Sequence, residues 1–202
     1  MHRQSARHFS MIRDLHLADF FTIANGFCGM AAIFEAMKFL VTDAPRDLYL
    51  AGLLVVAALV LDVLDGEVAR RRHSASALGR ELDSLADVIS FGVAPAAIAF
   101  AAGMNYALDQ IVLIFFALCG LSRLARFNVT AEAMSTRTGK VPYFEGTPIP
   151  TSVVPLGLAL AAFHTGDLYP VTILGLPFHL PVLLFFVSGC LMISKTLRIP
   201  KP

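Results

Sequence analysis

Charge is what this 202-residue chain has least of. Asp, Glu, Lys and Arg make up 15% of it against 56% apolar residues, and mean hydropathy is +0.69. Soluble domains carry roughly 25% charged residues, so a soluble fold is excluded and the chain reads as an integral membrane protein. A net charge of +1 gives no support to nucleic-acid binding. Tryptophan is absent, which removes the best aromatic face for a quaternary ammonium such as choline. Only three cysteines occur, Cys28, Cys119 and Cys190, each alone in a separate apolar segment. That spacing suits neither a zinc site nor a disulfide framework and leaves them as small apolar packing residues.

The expected fold is all-α, an integral membrane bundle of about six transmembrane helices. A spanning helix takes about 20 mainly apolar residues, and on that basis helices are expected at roughly 18–41, 48–72, 82–102, 106–128, 149–165 and 169–195. The fifth is short and carries Pro150 and Pro155; the last carries Pro170, Pro177 and Pro181 and is expected to kink or to begin with a re-entrant turn. No cleavable signal peptide, internal repeat or second domain is apparent. Residues 1–17 form a basic N-terminal segment, either a short amphipathic helix through Phe9, Met11, Ile12 and Leu15 or a disordered tail, and 18–202 form the transmembrane domain.

The basic residues orient this bundle. With the N-terminus inside, 14 of the 16 Lys and Arg fall in cytoplasmic segments, and only Lys38 and Arg46 fall outside. The positive-inside rule then makes both termini cytoplasmic, together with the loop 71–79.

What the chain does have is a run of carboxylates among apolar residues. Asp62 and Asp65 are three apart and Asp83 and Asp87 four apart, so each pair shares one helix face. A short loop makes the two helices antiparallel neighbours. Four intramembrane Asp cannot all stay ionised without compensating cations. Oxygen-only ligands suit hard divalent ions, Mg²⁺ or Mn²⁺, and four carboxylates can hold two of them in the arrangement that clamps a phosphoryl group. Gly66 and Ala69 leave room for a bulky group, Arg70 can reach a diphosphate with a bidentate fork, and Ser76 and Gly79 could complete a nucleotide pocket. The bland alternative is interhelical hydrogen bonding with a snorkelling Arg.

The stretch from Asp62 to Asp87 reads D-V-L-D-G-E-V-A-R, eight residues, then G-R-E-L-D-S-L-A-D. It resembles the signature of the CDP-alcohol phosphotransferases, D-x-x-D-G-x-x-A-R, eight residues, G-x-x-x-D-x-x-x-D, with every position filled. The resemblance implies metal ligands at Asp62, Asp65, Asp83 and Asp87, with Asp87 also the general base. It implies a cytidine-diphosphate pocket from Gly66, Ala69, Arg70, Ser76 and Gly79. It also implies CMP release as an acceptor hydroxyl attacks the lipid-side phosphorus. Members often form homodimers, and no segment here marks the interface.

Three further segments, S-L-A-D-V-I-S-F-G-V-A-P-A at 84–96, R-L-A-R-F-N at 123–128 and Y-F-E-G-T-P-I-P at 143–150, are similar to the branch that joins serine to CDP-diacylglycerol, the phosphatidylserine synthases. The expected product is phosphatidylserine, made at the cytoplasmic face of a bacterial or archaeal-type membrane. A serine carboxylate needs a cation near the metals; Arg123 and Arg126 could serve, with Asn128 as auxiliary donor. These arginines are equally readable as interfacial anchors, or as ligands for the phosphate of glycerol 3-phosphate or inositol phosphate. On helix one, Asn25 either touches the nucleotide, as part of the CDP-diacylglycerol site, or bonds a neighbouring helix. Lys38 and Glu35 are expected to snorkel, Asp109 and Asp167 to lie at the far face, and His164 and His179 to stand isolated. Two other classes compete: a divalent-cation transporter, against which no acidic path continues through the helices, and a catalytically idle assembly partner.

Overall fold

The computed structural model describes residues 17–72, 77–135, 143–173, 175–194, 196 and 198–200. Helix α1 (Leu17–Thr42) and α2 (Pro45–Arg72) form an antiparallel pair. Next comes one continuous helical rod: α3 (Ala77–Asp87), a π-helical turn (Val88–Val93) and α4 (Ala94–Ala101). Helix α5 (Ala107–Ser135) follows, then strand β1 (Tyr143–Glu145), a 3₁₀ turn (Ile149–Ser152) and α6 (Val153–Thr165). The chain ends with a hairpin of β2 (Pro170–Ile173) and β3 (Leu176–His179), helix α7 (Val182–Ile193) and β4 (Arg198–Pro200), which pairs antiparallel with β1. Among the described residues, four stretches are long and apolar enough to cross a membrane: Asp19–Thr42, Pro45–Val68, Leu78–Ala101 and Ala107–Thr130.

Small residues set the helix spacing. Ala32 and Ala36 on α1 and Ala51 and Ala58 on α2 are essentially inaccessible, and such residues let helix backbones approach closely where lipid offers no hydrophobic drive. A Cβ on Gly29 would lie 2.4 Å from Ser90 Oγ and 2.7 Å from its Cα, so α1 rests directly on the π turn. Large side chains fill the other half of the core: Phe116 meets Phe185 edge-on at 5.2 Å. Outward, Phe27 and Phe34 stand exposed for lipid.

The π turn has a local cause. Ala94 N–H reaches back five residues to Ile89 O, and Pro95, which has no N–H to give, sits in the first turn of α4. Such turns recur at functional sites, and this one starts at the residue after Asp87.

The last region departs from expectation. No helix runs from 169; Pro170, Pro177 and Pro181 each withhold an N–H, and the backbone pairs as a hairpin before α7 begins at Val182. His179 is not isolated either. Its backbone N–H and its Nδ1 meet the two oxygens of fully buried Asp109 at 2.8 and 2.7 Å, and Tyr106 stacks on its ring at 5.2 Å. His164 Nδ1 bonds the Tyr49 hydroxyl at 2.9 Å. Lys38 does not simply snorkel: its ammonium joins Glu35 at 3.0 Å and Asp47 at 3.1 Å, fastening the end of α1 to the start of α2.

Candidate metal and nucleotide site

At the opposite end of the bundle, α1, α2 and α3 converge. Carboxylate oxygens of Asp62, Asp83 and Asp87 lie within 4.8 Å of one another. Asp87 is buried, and Oδ1 of Asp83 is buried with no hydrogen-bond partner among the described residues. Three carboxylates this close repel unless a cation lies between them, and an unbonded buried carboxylate oxygen is an open coordination position. An all-oxygen donor set of this kind fits a hard divalent ion. Asp65 stands apart from this trio: its Oδ2 accepts the Thr22 hydroxyl at 2.9 Å, although it remains within electrostatic reach of Asp83 and Asp87.

Helix α1 holds the acids from behind. Asn25 is fully buried and donates from Nδ2 to Asp87 Oδ1 at 3.2 Å, while its own backbone carbonyl accepts Ser90 Oγ at 3.0 Å. Asn25 thus bonds a neighbouring helix through Nδ2, while its Oδ1 is buried without a hydrogen-bond partner among the described residues. Thr22 was not singled out by sequence reasoning, though its place one turn before Asn25 was the available signal.

The other expected residues fall in three groups. Beside Gly66 none of the described residues lies within 4 Å of a would-be Cβ, one residue after Asp65 on α2. Gly79 is half-buried near the start of α3, where Arg80 carries a buried Nε with no partner among the described residues. Ser76 and the side chains of Ala69 and Arg70 lie outside the described part. On α5, Arg123 is buried, its Nε has no partner among the described residues, and it lies within electrostatic reach of Asp87. Arg126 is half-buried. Asn128 is engaged: its amide bonds Ser84 Oγ at 3.0 Å and Glu81 Oε2 at 3.1 Å, tying α5 to α3.

The segment after β1 is seated beside this arginine. Ile149 fills a gap where Gly92 and Gly120 have no side chains; a Cβ on Gly120 would lie 2.6 Å from Ile149 Cδ1. Gly120 is one helical turn from Arg123. Gly146, at φ +73°, packs its backbone onto the end of α7, where a Cβ would meet Met192 O.

The sequence profile of the CDP-alcohol phosphatidyltransferases matches residues 15–193. The chain belongs to that family. Its members act on CDP-alcohols, and the carboxylate trio and its flanking glycines occupy the family signature. Among similar proteins, a CDP-diacylglycerol–serine O-phosphatidyltransferase of Saccharomyces cerevisiae is 47% identical, over 96% of this chain and 74% of the relative. One of Helicobacter pylori with the same name is 44% identical over 71% of this chain and 56% of its own length. One of Bacillus subtilis is 35% identical over 64% and 66%. The chain thus matches between about half and three-quarters of these relatives' lengths.

Proposed function

We propose that this chain transfers the phosphatidyl group of CDP-diacylglycerol to the hydroxyl of L-serine, giving phosphatidylserine and CMP, with two Mg²⁺ or Mn²⁺ ions as cofactors. The observation that carries the reading is the convergence of Asp62, Asp83 and Asp87, in a family member whose relatives named above are serine O-phosphatidyltransferases. Asp62, Asp83 and Asp87 would hold the ions, with Asp65 beside them as a further carboxylate ligand. Bound there, divalent ions supply neutralisation of the diphosphate and of charge developing on CMP.

The chain's own residues do the rest. Space beside Gly66 admits the nucleotide, with Ala69, Arg70, Ser76 and Gly79 completing its pocket. Asn25 occupies Asp87 Oδ1 and leaves Oδ2 to accept the proton of the serine hydroxyl. The serine oxygen then bonds the lipid-side phosphorus as the bond from phosphorus to the CMP oxygen breaks. Arg123, with Arg126, pairs the serine carboxylate. Arginine in the positive-inside pattern supports a site facing the cytoplasm.

The test is CMP release from CDP-diacylglycerol by purified protein in mild detergent with Mg²⁺ or Mn²⁺. Serine, glycerol 3-phosphate, inositol, inositol phosphate and choline are offered separately. Release with serine alone is expected; release only with a phosphorylated acceptor would keep the chemistry and overturn the acceptor.

A further inference from the structure

The β2–β3 hairpin joins α6 to α7 at the end of the bundle away from the carboxylates. Cross-strand partners share a face, and the register pairs Val171 with Phe178 and Ile173 with Leu176. The face that carries Val171, Leu176 and Phe178 is therefore apolar. It begins in the core, where Phe178 is 7% exposed, and runs outward through Val171 at 41% and Leu176 at 52%. Gly175, at φ +80°, lies in its turn.

Between Asp167 and Lys195 the sequence contains no Asp, Glu, Lys or Arg. The one titratable side chain in the hairpin, His179, is buried against Asp109, which pins the base of the hairpin to the first turn of α5. A water-facing hairpin tip ordinarily carries polar turn residues and charges; this one reads I-L-G-L. Three of the four tyrosines, Tyr49, Tyr106 and Tyr169, also gather at this end and are all exposed, as aromatic residues are at a membrane–water boundary. Tyr169 immediately precedes β2, so the hairpin leaves the bundle at that boundary. Beyond it, exposed Leu180 and Leu183 continue the apolar surface into the lipid-facing side of α7.

We propose that this hairpin is a membrane anchor: its Val171–Leu176 face lies among the lipid acyl chains of the leaflet opposite the carboxylate cluster. The unpaired outer edges of a two-stranded hairpin must stay at headgroup depth, where water can satisfy them, so only the side chains of this face reach the acyl chains. The inference rests on the membrane bundle and not on the proposed reaction.

The absence of tryptophan makes the test clean. Leu176→Trp is reconstituted in phosphatidylcholine vesicles whose acyl chains carry bromine either near the headgroup or near the chain end. Leu118→Trp, from an exposed position within the α5 span, serves as the lipid-facing reference. Quenching by bromolipid comparable with the reference, stronger for the shallow label, with little quenching by acrylamide, is the expected result. CMP release at the wild-type rate is expected too. Acrylamide quenching without bromolipid quenching would place the hairpin in water and overturn the proposal. Protection from both quenchers would show protein covering it, such as a second copy, and overturn it equally. Should Leu176→Trp not fold, Val171→Trp reads the same face.

Discussion

Asn25 and Asp87 meet in the buried seam between α1 and α3, amide Nδ2 to carboxylate Oδ1 at 3.2 Å, and one turn earlier Thr22 reaches Asp65 at 2.9 Å. Two donors on one helix face thus hold one carboxylate from each motif pair. Partners of this kind fix the orientation of metal-binding side chains, and their loss typically costs roughly 10–100-fold in affinity or activity. Asn25→Ala is expected to lower kcat within that range with little change in KM for CDP-diacylglycerol. Asn25→Asp loses more, because a like charge replaces the donor. Steady-state CMP release separates the two parameters; a change confined to the KM for CDP-diacylglycerol would instead make Asn25 a nucleotide contact.

Metal binding should be visible without turnover. Asp62, Asp83 and Asp87 crowd within 4.8 Å, so without a cation the three carboxylates can be ionised together only at a cost. A ligand at about 100 times its Kd stabilises the folded state by roughly 2.7 kcal/mol. Adding Mg²⁺ or Mn²⁺ to chelator-stripped protein is expected to raise its melting temperature in detergent and restore CMP release. In Asp83→Asn the stripped protein melts higher than wild type, the metal increment shrinks, and activity falls by more than the roughly 100-fold that an outer partner costs. Equal metal increments in both proteins would remove Asp83 from the site.

The spacing of the acids at three and four residues was enough to put each pair on one helix face and to bring the pairs together across a short loop. Local periodicity carries that much because both partners lie on neighbouring elements. It did not separate Asp65 from the trio, since the Thr22 hydroxyl that engages it sits 43 residues away. The Asp109–His179 and Tyr49–His164 pairs, 70 and 115 residues apart, leave no local trace at all. The hairpin was hidden for another reason. Residues 168–194 are apolar enough to pass for a helix, and only the three prolines and the β-branched run Val171–Thr172–Ile173 argued otherwise. The π turn has a similar status: Gly92 and Pro95 mark a weak point in the helix, and the turn that forms there rests against α1.

That contact predicts a steric failure at Gly29. Its would-be Cβ meets Ser90 Cα at 2.7 Å, a backbone atom that no rotamer change can move. Gly29→Ala is therefore expected to push α1 off the π turn, stretching the Asn25–Asp87 bond at the same time. Overpacking of this kind typically costs about 1–3 kcal/mol. A lower melting temperature together with reduced kcat is the expected pair of readouts, and Gly29→Ala with Ser90→Gly should recover little because the Cα remains. Gly157→Ala on α6, where nothing lies within 4 Å, is the control and should change neither.

Arg123 offers the sharpest view of the acceptor. Its guanidinium is buried in the helix bundle, its Nε is unpartnered among the described residues, and Asp87 is within electrostatic reach. A buried cation with a spare donor beside the proposed base is placed to receive a carboxylate, and a hydrogen bond between charged groups contributes about 1.5–3 kcal/mol. At about 1.4 kcal/mol per decade, Arg123→Ala should raise the KM for serine roughly 10- to 100-fold with CDP-diacylglycerol saturating, while the metal-induced gain in melting temperature persists. Arg123→Lys keeps the charge but loses the planar fork and is expected to recover only part of the loss. If serine KM stays put and the KM for CDP-diacylglycerol rises instead, the guanidinium belongs to the diphosphate, and the serine carboxylate must find its cation elsewhere, with Arg126 next in line.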